Sequence, residues 1–198
     1  MPEGVISPRY SIYQGETPDE WIQKLSFNVP LILKPNTEGS SFGLFRVLEK
    51  KDLALALKDS LQFEKTILAE EMIVGRELTV GVHQGLALPI VEIVPQSGVY
   101  DFESKYTKGK TNYLVPAPLD EKKTKEIQGI AEKIYKIVSC RGSVRMDFML
   151  SANGTPYFLE VNTIPGMTET SLLPKAAACT GLGFDDLCEQ ILNGALVR

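Results

Sequence analysis

The stretch from Ser143 to Asn162 constrains the fold most tightly. SVRMDFML (143–150) and PYFLEVN (156–162) flank Asn153-Gly154, and an Asn-Gly pair between two such runs is the strongest short-range signal for a β-hairpin. Successive side chains on a strand point to opposite faces, so Arg145 and Asp147 share one face and Met146 and Phe148 the other. On the second strand Phe158, Glu160 and Asn162 are expected to share a face. A two-residue turn at Asn153-Gly154 sets Asp147 opposite Glu160 and Arg145 opposite Asn162.

Other segments carry local signals of the same kind. Thr17, Pro18 and Glu20 spell a capping box with proline at the first helical position, so a short helix opens in TPDEWIQKL (17–25). VPLILK (29–34) reads as an apolar strand ending on lysine, followed by the small-residue loop EGSSFG (38–43). Leu53, Leu57 and Leu61 recur at the spacing of an amphipathic helix. TILAEEMI (66–73) and ELTVGVH (77–83) read as strands broken at Gly75, and Gln84-Gly85 turns the second into LALPIVEIV (86–94). Residues 97–116 are polar and without period, and so long a loop inside a compact domain is usually functional or disordered. Ile127, Ile130, Ile134, Ile137 and Val138 mark a helix over 120–138, and the tail alternates loop (163–171) with helix (172–180 and 184–193). The class is α+β, with an N-terminal lobe over 1–75 and a C-terminal lobe over 76–198.

Composition narrows the partners. A formal charge of −4 gives no basic field for nucleic acid or an anionic membrane. No apolar run reaches the roughly 20 residues of a membrane span, and MPEGVISPRYS lacks the basic and apolar regions of a signal peptide. Cys140, Cys179 and Cys188 are odd in number and form no CxxC pair, which suits thiols in a reducing, cytoplasmic compartment.

The hairpin is also where chemistry could sit. Two carboxylates opposed on a sheet repel one another, and a divalent cation between Asp147 and Glu160 would resolve the conflict. With Asn162 the donors are all oxygen, which suits Mg²⁺ or Mn²⁺ and not Zn²⁺. A solvated polar face on an edge hairpin satisfies the same spacing equally well. Lys34 would ordinarily be a snorkelling surface lysine. The loop after it could offer backbone N–H groups to phosphate, although no GK[ST] follows, which excludes a Walker A loop. Glu70, Glu71 and Glu77 flank Gly75, and any one of them singly reads as surface. His83 is the lone histidine and reads as structural, while Trp21 reads as core.

VPLILKPNTEGSSFG, LAEEMIVGRELTVGV, SGVYDFESKYTKGKTNYLVPAPL, CRGSVRMDFML and PYFLEVNTIPGMTETSLLP occur in that order. Together they resemble the D-alanine–D-alanine ligases of the ATP-grasp superfamily, from about residue 28 to the C-terminus. The resemblance implies an ATP-grasp fold with ATP held between two α+β lobes. It implies that Lys34 contacts the ATP phosphates, that Glu70, Met72 and Ile73 line the adenine pocket, and that Glu77 holds the ribose hydroxyls. Ser40 and Ser41 would lie on a loop closing over the phosphates, and Lys105 and Tyr106 on a mobile loop over the reacting substrates. Asp147, Glu160 and Asn162 would bind two Mg²⁺ (or Mn²⁺) ions. Arg145 and Ser171 would meet substrate carboxylates and developing charge, with the Gly166 backbone as a further donor.

The implied activity joins two D-alanines for peptidoglycan precursor synthesis through an acyl phosphate. Lys105-Tyr106 favours D-alanine over D-lactate as second substrate, and the resemblance leaves room for a homodimer of the full-length enzyme. Family members carry a further N-terminal domain, so this stretch alone is expected to bind ATP without ligating. Two rivals remain open: another ATP-grasp carboxylate–amine ligase, and a nucleotide-binding module without catalysis.

Overall fold

The computed structural model describes residues 4–39, 42–95, 111–168 and 170–196. They form two compact units, one of Pro8–Ile73 and one of 4–7, 74–95 and 111–196.

In the first unit the strands β1 (Tyr10–Tyr13), β2 (Leu31–Pro35), β3 (Phe45–Val47) and β4 (Ile67–Glu71) make a sheet in the order β1-β4-β2-β3. Neither β1 nor β3 is foreshadowed by a clear run, since both are short and only partly buried. Helix α1 (Pro18–Lys24) starts at the expected capping box, with Thr17 Oγ1 accepting from Glu20 N and the Glu20 carboxylate accepting in return. Helix α2 (Leu53–Ser60) buries Leu53 and Leu57. The core packs Trp21, Phe27, Leu53 and Leu57 of the helical layer with Leu31, Leu33, Ile67 and Ala69 of the sheet. Trp21 is 1% exposed, yet its indole N–H finds Ser11 Oγ at 3.1 Å, so its burial strands no donor. At the end of β4 the Arg9 guanidinium grips the Glu71 carboxylate at 2.9 and 2.8 Å, donates to Ser26 O and lies over the Phe27 ring. Arg9 therefore ties the strand end to the loop after α1.

The second unit is an antiparallel sheet ordered β10-β9-β5-β7-β8. It comprises β5 (Gly75–His83), β7 (Val91–Pro95), β8 (Thr111–Leu114), β9 (Ser143–Ser151) and β10 (Pro156–Asn162), with β6 (Leu86–Ala87) also on β5. Strand β8 corrects the expectation of an unstructured 97–116, because Thr111–Leu114 pairs with β7 at the sheet edge. Gly75 is the first residue of β5 and not a break before it. A Cβ there would lie 2.1 Å from the Leu150 carbonyl oxygen, so only glycine lets β5 and β9 approach at this point. One face of the sheet packs Val80, Val144, Met146 and Phe148 against helix α3 (Glu121–Ile137) through Ile127, Ala131 and Ile134. Residues 4–7 join this unit: Val5 enters that core, and Ile6 O accepts from Phe158 N. Helices α4 (Leu172–Ala178) and α5 (Phe184–Leu196) supply a separate apolar cluster of Leu172, Leu173 and Leu187 with Val91 and Ile93.

His83 is structural as expected, hydrogen-bonded with Ser143 Oγ at 2.7 Å and with Gln190 Oε1 on α5 at 2.8 Å. The three cysteines are free thiols; Cys179 is exposed, and burial raises the pKa of Cys140 above its ordinary value. Among the described residues no helix is long and apolar enough to cross a membrane.

Two outcomes follow. Gly75→Ala is expected to lower stability by about 1–3 kcal/mol, since the obstructing atom is backbone and cannot rotate away; denaturant melts test this. The Arg9 guanidinium, chiefly by hydrogen bonding, holds the Glu71 carboxyl below its ordinary value of 4.5. A depressed folded pKa contributes stability above the unfolded value that is lost as pH falls through the folded one. Glu71→Gln should therefore cost under about 1 kcal/mol near pH 7, the pair being partly exposed. That difference should disappear on acidification below 4.5, read by thermal melts across pH.

Candidate active site

Two candidate residues of the first unit, Lys34 and Glu70, lie on the sheet face turned away from its helices. Leu31, Leu33 and Pro35 point into the core, so by alternation Ile32 and Lys34 face the other way. In register Ile32 stands opposite Glu70, which leaves Glu70 diagonal to Lys34 and within reach. Lys34 Nζ lies 2.5 Å from Glu70 Oε2, with side chains 28% and 15% exposed. Lys34 is thus held at a fixed place by a carboxylate and does not snorkel. The next residue, Glu71, is engaged by Arg9, and Met72 N donates to Pro30 O at 3.1 Å, with Met72 and Ile73 half-buried.

Ser40 and Ser41 lie outside the described residues, as do Lys105 and Tyr106. Both stems of the Gly/Ser loop are described, and both are fastened to the turn after α2. Thr37 donates from N and Oγ1 to Glu64 Oε2 at 2.8 and 3.0 Å. Across the loop, the Phe42 ring meets Phe63 edge-on at 5.1 Å.

In the second unit the site is set by the hairpin, whose geometry differs from expectation in two compensating ways. The connection has three residues: Ser151 N donates to Thr155 O and Gly154 N to Ser151 O, with Gly154 at φ 82°. A left-handed residue closing a three-residue loop favours glycine. The pairing then starts one residue off the two-residue register, with Phe158 opposite Phe148. A bulge at Leu159 shifts it back, so that Glu160 stands opposite Asp147 and Asn162 opposite Arg145, as expected. The bulge also separates faces that strict alternation would have merged. Phe158 packs on Phe148, ring centroids 5.7 Å apart, on the core side. Glu160 and Asn162 stand on the opposite, polar face.

On that face Asp147 is closely held. Arg145, two residues away on the same strand, donates from Nε to Oδ1 at 3.0 Å and from Nη2 to Oδ2 at 2.9 Å. From β5, where Thr79 is paired with Asp147, Thr79 Oγ1 donates to Oδ1 at 2.6 Å. Arg145 therefore offsets the Asp147 charge, and the opposition of Asp147 to Glu160 does not by itself demand a cation. Strand alternation sets Arg145 and Asp147 on one face but carries no sign that they pair. Thr79 has no local signal at all, because nothing within a few residues of it shows that β5 lies beside β9.

Glu160 is exposed and makes no hydrogen bond or ion pair among the described residues. Asn162 Oδ1 accepts from Ile164 N at 3.1 Å. Among those residues no three His, Cys, Asp or Glu side chains are grouped to hold a metal. Two carboxylates and an amide oxygen are nevertheless the hard, sparse donor set that Mg²⁺ or Mn²⁺ accepts when phosphates and water complete its shell. The residues present fit such an ion. Glu77 shares the polar face two residues before Thr79 and stands opposite Met149 and Ile93. Gly166 and Ser171 are brought together: a Cβ at Gly166 would lie 2.9 Å from Ser171 Oγ, which accepts from Thr168 N at 3.0 Å. Ser171 is also the residue before α4, its side chain making no cap bond.

The family model described as D-ala D-ala ligase C-terminus matches residues 5–193. The chain belongs to this family. It is 47% identical over 176 residues to a D-alanine--D-alanine ligase of Methylacidiphilum infernorum, covering 89% of this chain and 58% of that protein. To the ligase of the same name from Syntrophotalea carbinolica it is 48% identical over 201 residues, covering 98% of this chain and 63% of that one. The chain thus spans about three-fifths of the length of these curated relatives. Among solved structures, a D-alanine--D-alanine ligase of Bacillus anthracis superposes with a TM-score of 0.82 at 31% identity, covering 98% of this chain and 63% of that one. The VanG D-Ala:D-Ser ligase of Enterococcus faecalis gives 0.83 at 30% identity, over 96% and 57%. The expected α+β, ATP-grasp class is therefore the fold of this family.

The two carboxylates are expected to respond differently to neutralisation in metal-free buffer. Glu160→Gln removes an exposed charge that has no partner among the described residues, and should leave stability within about 0.5 kcal/mol or raise it slightly. Asp147→Asn neutralises a half-buried carboxylate that accepts from both Arg145 and Thr79 and should cost about 1–3 kcal/mol. Denaturant melts of both variants in chelator decide the matter.

Proposed function

We propose that this chain binds ATP together with Mg²⁺ or Mn²⁺, and that the protein to which it belongs joins two D-alanines for peptidoglycan precursor synthesis. The observation that carries this reading is the polar hairpin face, where Arg145, Asp147, Glu160 and Asn162 meet in register within a family of D-alanine ligases. Because the chain spans only part of its relatives' length, ligation is proposed for the whole protein and nucleotide binding for these residues. The solved Bacillus anthracis ligase in complex with ATP, at TM-score 0.77 and 28% identity, supports ATP as the nucleotide.

In this reading Lys34 bonds the phosphates, its ammonium already held by Glu70. Glu70, Met72 and Ile73 face the adenine, and Glu77 holds the ribose hydroxyls. Ser40 and Ser41 cover the phosphates. Asp147, Glu160 and Asn162 would hold two divalent ions, which when bound neutralise phosphate charge. The carboxylate of one D-alanine attacks the γ-phosphorus and ADP leaves. The amine of the second then attacks the acyl carbon and inorganic phosphate leaves. Arg145, Ser171 and the Gly166 backbone bind the carboxylates and the oxyanion of the second step. Such chemistry needs mainly positioning and electrostatic stabilisation. It also needs exclusion of water, which would hydrolyse an acyl phosphate, and Lys105 and Tyr106 are assigned to that cover. The cytoplasm is the compartment proposed, and a homodimer the assembly of the whole protein.

Lys34→Met is expected to weaken ATP binding about tenfold or more through loss of a charge-assisted contact. Calorimetry giving equal affinities would overturn the assignment of Lys34. A phosphate-release assay on the whole protein tests the activity. Turnover with D-alanine supports the proposal, turnover with a different amino acid alone supports another carboxylate–amine ligase, and binding without turnover a non-catalytic module.

A further inference from the structure

We infer that Thr79 is a positioning residue, fixing the Asp147 carboxylate in the orientation that a divalent ion meets. The inference rests on the proposed role of Asp147 as a metal ligand. Thr79 sits on β5 opposite Asp147 and is 1% exposed. Its hydroxyl lies 2.6 Å from Asp147 Oδ1 and 3.2 Å from Met146 O. A hydroxyl has one hydrogen to give. The shorter bond, to a charged acceptor, is the stronger of the two.

Asp147 has a second donor in Arg145, but the two differ in kind. Arg145 reaches the carboxylate with a long side chain that is 22% exposed, and its proposed role at the substrate competes with its grip on Asp147. Thr79 is β-branched, with a stiff first torsion, and is locked in a strand paired on both sides. When Arg145 turns toward substrate, Thr79 keeps its hold on Oδ1. Val91, paired with Thr79 from β7 and so on the same face, is fully apolar and buried, so packing alone does not call for a hydroxyl at position 79.

The test is a Mn²⁺ titration of the full chain, saturated with a non-hydrolysable ATP analogue and followed by the EPR signal of free Mn²⁺. Thr79→Val keeps the shape and removes the donor. Loss of a bond that orients a metal ligand typically weakens binding about 10–100-fold, and that loss is expected here with the metal-free melting temperature little changed. Thr79→Ser should restore affinity to within about threefold of the parent, whereas Thr79→Ala, which differs from serine only by the hydroxyl, should not. If Thr79→Val fails to fold, the serine and alanine pair decides. Asp147→Asn is the control. If it abolishes Mn²⁺ binding while Thr79→Val and Thr79→Ala bind as the parent does, the inference about Thr79 is overturned and the ligand assignment stands. If Asp147→Asn binds Mn²⁺ unchanged, the ligand assignment itself fails and the inference with it.

Discussion

Strand β9 lies between β5 and β10, hydrogen-bonded to both, and its register against each neighbour fixes nearly everything of interest in the second unit. A strand has two faces and no freedom to mix them. Once Met146 and Phe148 are committed to the core against α3, Arg145 and Asp147 must occupy the other face. Pairing on one side brings Thr79 to Asp147, and pairing on the other brings Glu160 and Asn162. The polar group is thus assembled by the burial of its apolar neighbours. A slip of one residue would bury a carboxylate and expose a phenyl ring, each at a cost of kilocalories.

The bulge at Leu159 belongs to the same logic. The three-residue connection that begins at Ala152 sets a register that, continued unbroken, would place Glu160 opposite Met146 and turn its carboxylate toward the core. An extra residue in β10 reverses the alternation, leaving Phe158 on Phe148 and Glu160 on the polar side. A bulge loosens pairing and increases twist, and here it lets one strand keep Phe158 on the core face and Glu160 and Asn162 on the polar face.

The first unit solves a simpler problem. Its helices cover one face of a four-stranded sheet, and the face left over carries the Lys34–Glu70 pair. Both stems of the Gly/Ser loop are moored to Phe63 and Glu64. Neither of those residues carries a signal in the sequence, because their effect depends on where the turn after α2 comes to rest.

What the sequence determined by itself is local. The capping box at Thr17, the leucine spacing of α2, the isoleucine spacing of α3 and the two-faced composition of β9 follow from periodicity and backbone preference, which act over a few residues. The five ordered blocks extend that reach to the family, and with it to the polar face of the hairpin. What only the tertiary structure decided is which strands are neighbours. No local rule puts Thr79 on Asp147, 68 residues apart, or Arg9 on Glu71, 62 apart. Short strands such as Tyr10–Tyr13 and Thr111–Leu114 were illegible for the same reason. Each becomes a strand because a sheet edge is there to accept its hydrogen bonds, and that edge is a property of the folded chain.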